Sequence, residues 1–335
     1  MSQANMTAQQ HFVSRAEQSL NAANPAADDE NLRIFSFSVT DREAFKVSLD
    51  SDRGRAIAST LVLRDLFSFD VIERDGNRFN LEALFGKYES RIQRHTLELL
   101  RKLQAGETDI KAEILDLFVA KFVNFLRNPY SVKKVLNSIT PIFNYVPTDP
   151  EVLRQFRAVL DGKKPQQEFL CAQLGITPLE YRNWLAALFL LLVELGPDEP
   201  LLLEGIVKGL YEDPSNEVGV YVHQYSGEHL DKRCLLSDRG YSMPASESEH
   251  LSFSFNLSAD AFISYVFINV ATSAREGIRP DIMELFLKRK KNVSVRHLTN
   301  DLPMLALYNQ RCVYQCHQTV YCSSRTLYGV DCIPD

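Results

Sequence analysis

The stretch that most constrains the fold runs from Glu113 to Tyr130, EILDLFVAKFVNFLRNPY. Projected at about 100° per residue, Ile114, Leu115, Phe118, Val119, Phe122, Val123, Phe125 and Leu126 cover more than half of a helix's circumference. Glu113, Asp116, Asn124 and Arg127 share one narrow sector around the small Ala120, and Leu117 breaks the division. A helix apolar over so wide an arc is mostly buried. Its polar residues must face water through a slot, line a pocket or pair inside the fold, because a buried charge is tolerated only when partnered. Pro129 pushes Asn128 out of the helical region and ends the helix there. Arg127 then sits in the last turn, where the helix dipole favours a cation. A core helix with a structural arginine and the wall of a polar pocket are the two readings this stretch allows.

On either side of this helix the hydrophobic period changes twice. Residues 1–31, rich in Ser, Asn, Ala, Gln and acid, read as a mostly flexible segment carrying one compact motif, Gln10-His11-Phe12-Val13-Ser14-Arg15. Residues 32–335 read as a single α+β domain. Ile34 to Ser38 and Phe45 to Leu49, separated by the polar Thr40-Asp41-Arg42-Glu43, predict a hairpin. Leu61 to Asp70 predicts a short helix followed by a strand.

From about residue 80 to 210 the period is about 3.6. Helices are expected over Leu81–Leu103, over the organising stretch, from about Ser131, and from Glu151 to about Leu160. Another opens at Thr177-Pro178-Leu179-Glu180, where threonine supplies an N-cap and proline the first helical position.

After Asp213-Pro214-Ser215-Asn216 the period returns to two. Val218, Val220 and Val222 alternate with Gly219, Tyr221 and His223, and Leu251, Phe253, Phe255 and Leu257 with Ser252, Ser254 and Asn256; both predict half-buried strands. Cys234 to Tyr241 predicts a short strand running into a turn. Ser258 reads as the N-cap of a helix through about Ala274, a last helix begins near Asp301-Leu302-Pro303 and carries Leu305, Tyr308, Cys312, Cys316 and Val320 inward, and the tail from Ser323 reads as irregular. The expected architecture is a helical bundle packed on a small, mostly antiparallel sheet formed by the N- and C-terminal segments, so that the two ends of the chain meet.

Composition narrows the function classes. Charged residues at 24% and hydrophobic ones at 45% are ordinary for a globular protein, and a net charge of -6 gives no global basic footprint for phosphate backbones. The apolar run Trp184 to Val193 falls short of the roughly 20 residues a spanning helix needs, so no membrane partner is expected. Six irregularly spaced cysteines without an export leader imply reduced thiols and a cytoplasmic location. Cys312, Cys316, His317 and Cys322 lack a Cys-x-x-Cys knuckle, and the first two extend an apolar stripe, so no metal is expected there. His223 and His229 read as structural or exposed. A phosphate loop, a dinucleotide fingerprint and a Gly-x-Ser-x-Gly elbow are all absent, and the need for a cofactor is not legible. Lys288-Arg289-Lys290-Lys291 is the clearest basic run and a candidate contact for nucleic acid.

The order of motifs resembles the bacterial family catalogued as domain of unknown function 4238. Its members open with a His-aromatic-Val-Pro-x-x-Tyr-Leu motif, run into a hairpin, carry an Arg-x-Pro helix end and a Ser-Asp-x-Pro turn, and close with an asparagine-bearing helix. Here the opening is His11-Phe12-Val13, with Ser14 in the place of the proline and Glu17 in the place of the tyrosine. Tyr88-Glu89 is similar to the family's helical glutamate, Arg127-Asn128-Pro129 to its Arg-x-Pro, Ser237-Asp238 to its Ser-Asp, and Phe255-Asn256-Leu257-Ser258 to its Pro-Leu-Ser element. Asn309 and Arg311 stand in the final motif. The match spans nearly the whole chain through short motifs.

Members have no established reaction, though some resemble single-gene antiviral defence proteins carried on mobile elements. The resemblance implies an intracellular anti-phage protein, either a nucleic-acid-directed, nuclease-like effector or a noncatalytic sensor or inhibitor that binds a phage protein. It also groups His11, Glu89, Arg127, Asp238 and Asn309. In that set the carboxylates and the histidine would do acid/base chemistry on a phosphodiester or glycosidic bond while Arg127 holds negative charge. The alternative for the same residues is a buried polar network that fixes the fold.

Overall fold

The computed structural model describes residues 8–72, 77–139, 142, 145–196, 201–243, 250–269, 288 and 293–333. The first part comprises β1 (Gln9–His11), α1 (Arg15–Ser19), β2 (Arg33–Asp41), β3 (Lys46–Leu49), β4 (Arg55–Ala56), β5 (Val62–Arg64), β6 (Ser68–Ile72) and β7 (Asn77–Asn80). A run of helices follows: α2 (Glu82–Gln104), α3 (Lys111–Arg127), α4 (Val132–Ser138), α5 (Pro150–Asp161), α6 (Gln167–Leu174), α7 (Pro178–Leu192) and α8 (Leu202–Glu212). The last part carries β8 (Asn216–Gln224), β9 (Leu236–Ser237), β10 (Leu251–Ser258), β11 (Ala261–Asn269), β12 (Ser294–Thr299), α9 (Leu302–Gln315), β13 (Thr319–Cys322) and β14 (Asp331–Ile333). Helices gather in the middle and mostly antiparallel strands at both ends, an α+β fold as the periodicity predicts.

The chain divides into two compact units, where the sequence predicts one domain beyond residue 31. The first joins Met1–Ala16 to Ser59–Gly205, and the second joins Glu17–Ala58 to Ile206–Asp335. Each unit is therefore assembled from segments far apart in sequence, which composition along the chain does not reveal.

In the first unit, α7 is buried from Trp184 to Leu192 because its sequence is apolar on every face. It starts at a capping box: the Glu180 backbone N–H donates to Thr177 Oγ1 at 3.1 Å, and Glu180 Oε2 accepts from the Thr177 N–H at 2.7 Å. Trp184 is fully buried and its indole N–H donates to the Leu126 carbonyl at 2.7 Å, tying α7 to α3.

The segment 61–70, expected to begin with a helix, forms β5 and β6 instead. Leu61 and Asp65 stand at φ 55° and 57°, in the left-handed region, and two such residues four apart cannot share a helix. The N-terminal segment, expected to be mostly flexible, is packed from Gln10 to about Ala22, while residues 25–31 are mostly exposed. Gln10, Phe12, Val13 and Ser14 are buried, and β1 runs antiparallel to β5 with His11 opposite Val62.

In the second unit the predicted hairpin is β2 with β3. Strand β13 adds antiparallel to β2 with Thr319 opposite Ser38, and β14 adds parallel to β3 with Asp331 opposite Lys46, so N- and C-terminal segments do build one sheet. The tail expected to be irregular thus carries a strand. A second sheet runs in the order β10-β11-β8-β12.

The helix expected from Ser258 is strand β11, paired on both sides with β10 and β8. Its side chains are buried from Ala261 to Tyr265, so the alternation that marks a half-exposed strand is missing. Ser258 makes a turn contact, donating to Asp260 Oδ1 at 2.5 Å, and residues 270–274 of the expected helix lie outside the described residues. The last helix begins as predicted, with Asp301 Oδ1 accepting from Met304 N–H at 3.2 Å, but ends at Gln315, and Val320 belongs to β13.

Candidate functional site

His11, Glu89 and Arg127 come together in the first unit. Strand β1 is pinned by Gln10, whose Nε2 donates to Ser68 Oγ at 3.1 Å and whose Oε1 accepts from the Phe67 N–H at 2.6 Å. Alternation along the strand turns His11 to the opposite side. The Phe12 N–H donates to the Leu61 carbonyl at 3.0 Å, and the Phe12 ring meets Tyr130 edge-on at 5.5 Å. His11 is half-buried and hydrogen-bonds the backbone of Thr60, beside left-handed Leu61. A non-glycine residue in that conformation costs about 1–2 kcal/mol, so the surrounding contacts hold the Thr60–Leu61 backbone against its own preference.

Arg127 is 0% exposed at the last turn of α3, and Asn128 leaves the helix at φ −71°, ψ 121°, as Pro129 requires. Its Nη1 pairs with Glu89, its Nη2 donates to Asn124 Oδ1 at 2.8 Å, and the guanidinium lies 5.1 Å from the Phe85 ring centroid. A side chain so enclosed cannot meet a substrate directly. What it does is fix Glu89, which is 29% exposed and stands at the surface of the cluster. Two further acidic residues of α3 pair with α2 as well: Glu113 with Lys102 at 2.8 Å and Asp116 with His95 at 3.3 Å. The narrow polar sector of α3 is thus a seam of ion pairs whose innermost member is Glu89–Arg127.

Glu82 completes the cluster and was not among the residues expected from sequence. It precedes Glu89 by seven positions on α2, two helical turns on the same face. Burial raises its pKa to about 7, with Glu89 adding to the effect and Arg127 opposing it. Its Oε1 is buried and meets no hydrogen-bond donor among the described residues, and the same holds for Arg127 Nε and an acceptor.

His11 moves the other way. Burial lowers its pKa to about 4, helped by Arg15 and Arg127 and opposed by Glu89 and the Thr60 backbone. The ordinary order of the two groups is inverted, so between about pH 4 and 7 the Glu82 carboxyl holds its proton while the His11 imidazole is neutral. Two groups driven apart in this sense are matched as acid and base. The seven-residue spacing of Glu82 and Glu89 was the one sequence signal that could have found the acid.

Asp238 and Asn309 belong to the second unit, and both hold backbone. The buried Asp238 carboxylate accepts from the N–H groups of His317, Gln318 and Thr319 at 2.6, 2.7 and 3.0 Å. Burial raises its pKa against the lowering effect of those three donors. Asn309 Oδ1 accepts from Leu235 N–H at 2.9 Å, and its Nδ2 donates to the carbonyls of Arg233 and Tyr328 at 2.9 and 3.0 Å. Of the basic run, Lys288 is exposed, and Arg289, Lys290 and Lys291 lie outside the described residues.

Cys312, Cys316 and Cys322 are buried free thiols whose pKa values burial pushes up. Among the described residues no three His, Cys, Asp or Glu side chains converge to hold a metal ion, and no helix is long and apolar enough to cross a membrane. No protein-family model, curated protein or solved structure matches the chain.

Proposed function

We propose that the protein is an anti-phage effector whose first unit carries a general acid–base centre for hydrolysis, with a phosphodiester of nucleic acid as the substrate class. The observation that supports the chemistry is the inverted protonation of Glu82 and His11 around the Glu89–Arg127 pair. In this reading His11 takes a proton from a water molecule, the resulting hydroxide attacks the phosphorus, and Glu82 gives its proton to the leaving oxygen. Arg127 is a positioning residue that sets Glu89 beside the reacting groups. The defence setting rests on the family resemblance of the motifs alone.

The experiment is phage plaquing on cells expressing the wild type, Glu82→Gln or His11→Gln at equal soluble protein level, followed by nuclease assays on the purified proteins. Loss of protection and of nucleic-acid cleavage in both variants is the expected result. A wild type that neither protects nor cleaves would remove this reading.

A second reading has its own support in the ion-pair seam of α2 and α3, of which Glu89–Arg127 is the innermost member. There the cluster only fixes the helices, and the protein is a noncatalytic sensor that binds a phage protein. Full protection by Glu82→Gln and His11→Gln would favour it.

A further inference from the structure

The Ser237–Asp238 motif leads into a feature of the second unit that the acid–base centre does not use. Ser237 to Gly240 is a tight turn closed by the Gly240 N–H to the Ser237 carbonyl at 2.9 Å, with Gly240 at φ 72°. Asp238 points inward, its carboxylate committed to the N–H groups of residues 317–319. Arg239, the next residue, is half-buried within electrostatic reach of His317 and Cys316, and its Nε is buried with no acceptor among the described residues.

The surroundings are cationic. Arg42, in the connection between β2 and β3, donates to the carbonyls of Cys316 and His317 at 2.7 and 2.9 Å and to that of Tyr314, beside the residues that Asp238 holds. On α9, Arg311 is a further half-buried guanidinium, and burial lowers its pKa. It lies one turn before Gln315, whose amide oxygen accepts from the Met243 N–H at 2.7 Å in the segment that follows Arg239. Asp238, the residue before Arg239, already accepts three N–H groups.

A half-buried guanidinium without an acidic partner is costly. An oxyanion would supply the missing charge and acceptors, in the planar fork geometry that arginine offers. From this arrangement we propose that the turn at Arg239, flanked by His317 and Arg42, is a binding site for a phosphate group. It is separate from the His11–Glu82 cluster and does not depend on that cluster being catalytic.

The test is titration of the full chain with inorganic phosphate, read by calorimetry and by the NMR signals of arginine Nε–H groups. The wild type binds phosphate saturably and the Arg239 Nε–H signal shifts with the same midpoint. Arg239→Gln, with an unchanged circular dichroism spectrum, binds at least about tenfold more weakly, as expected when a charge-assisted hydrogen bond is lost. Displacement of phosphate by a nucleoside 5′-monophosphate at lower concentration identifies a nucleotide as the source of the group, and failure to displace it identifies the free ion. Absence of saturable binding to the wild type, an Arg239 signal that does not move, or equal affinity in Arg239→Gln would overturn the assignment.

Discussion

Glu82→Gln should make the protein more stable at neutral and alkaline pH while removing the proposed acid. The folded chain holds the Glu82 proton up to about pH 7, whereas the unfolded chain releases it near 4.5. The stability contributed by this proton is fully present below pH 4.5 and is lost as pH rises to 7. At about 1.4 kcal/mol per pH unit, the loss reaches about 3 kcal/mol. Glutamine keeps the shape without the charge, so the variant escapes that loss.

His11 has the opposite sign. Its folded pKa of about 4 lies below the ordinary 6.5, so its contribution is present above 6.5 and is lost as pH falls through 4. Between about 4.5 and 6.5 the two slopes oppose each other in the wild type, and each single variant exposes the other.

Urea unfolding at half-unit steps from pH 4 to 8 measures this, and Trp184, the single tryptophan, is buried in the first unit and reports on it. Relative to the wild type, Glu82→Gln should gain stability progressively up to pH 7, and His11→Gln should gain it as pH falls below 6.5. Difference curves that are flat with pH for both variants would refute the reasoning, because then neither group is displaced by the fold.

Arg127→Ala removes a fully enclosed guanidinium that pairs with Glu89 and donates to Asn124, and should lower the stability of the first unit by about 3 kcal/mol in the same unfolding assay. Asp238→Asn replaces a carboxylate that accepts three N–H groups by an amide with one acceptor oxygen, at a cost of about 1–3 kcal/mol, and should speed amide hydrogen exchange at residues 317–319. Thr177→Ala removes one half of the α7 capping box and should cost about 1 kcal/mol in thermal melting.

Much of the helical middle was legible because α3 and α7 announce themselves by period, caps and breakers. Pro129 ends α3 where predicted, and Thr177-Pro178 starts α7. The strand β11 was not legible, since a strand buried on both faces shows neither a period of two nor one of 3.6. The same limit applies to β5 and β6, where two left-handed residues, and not the hydrophobic pattern, decide the backbone.

At the candidate site, Arg127 and Glu89 could be picked out as polar residues on apolar helices. Their partnership could not, because it depends on how α2 and α3 face each other. Glu82 escaped because a glutamate near a helix start reads as favourable to the helix dipole, and only its enclosure beside Glu89 raises its pKa. Asp238 and Asn309 attract notice for the opposite reason: buried polar residues that brace backbone look in sequence like residues that do chemistry.

The most direct test of the inverted acid–base pair is an NMR titration of the His11 imidazole, assigned by its absence in His11→Gln. The account predicts a neutral ring down to a pKa of about 4. A His11 pKa near the ordinary value of about 6.5 would contradict it, since the fold would then not displace the imidazole that the proposed chemistry uses as its base.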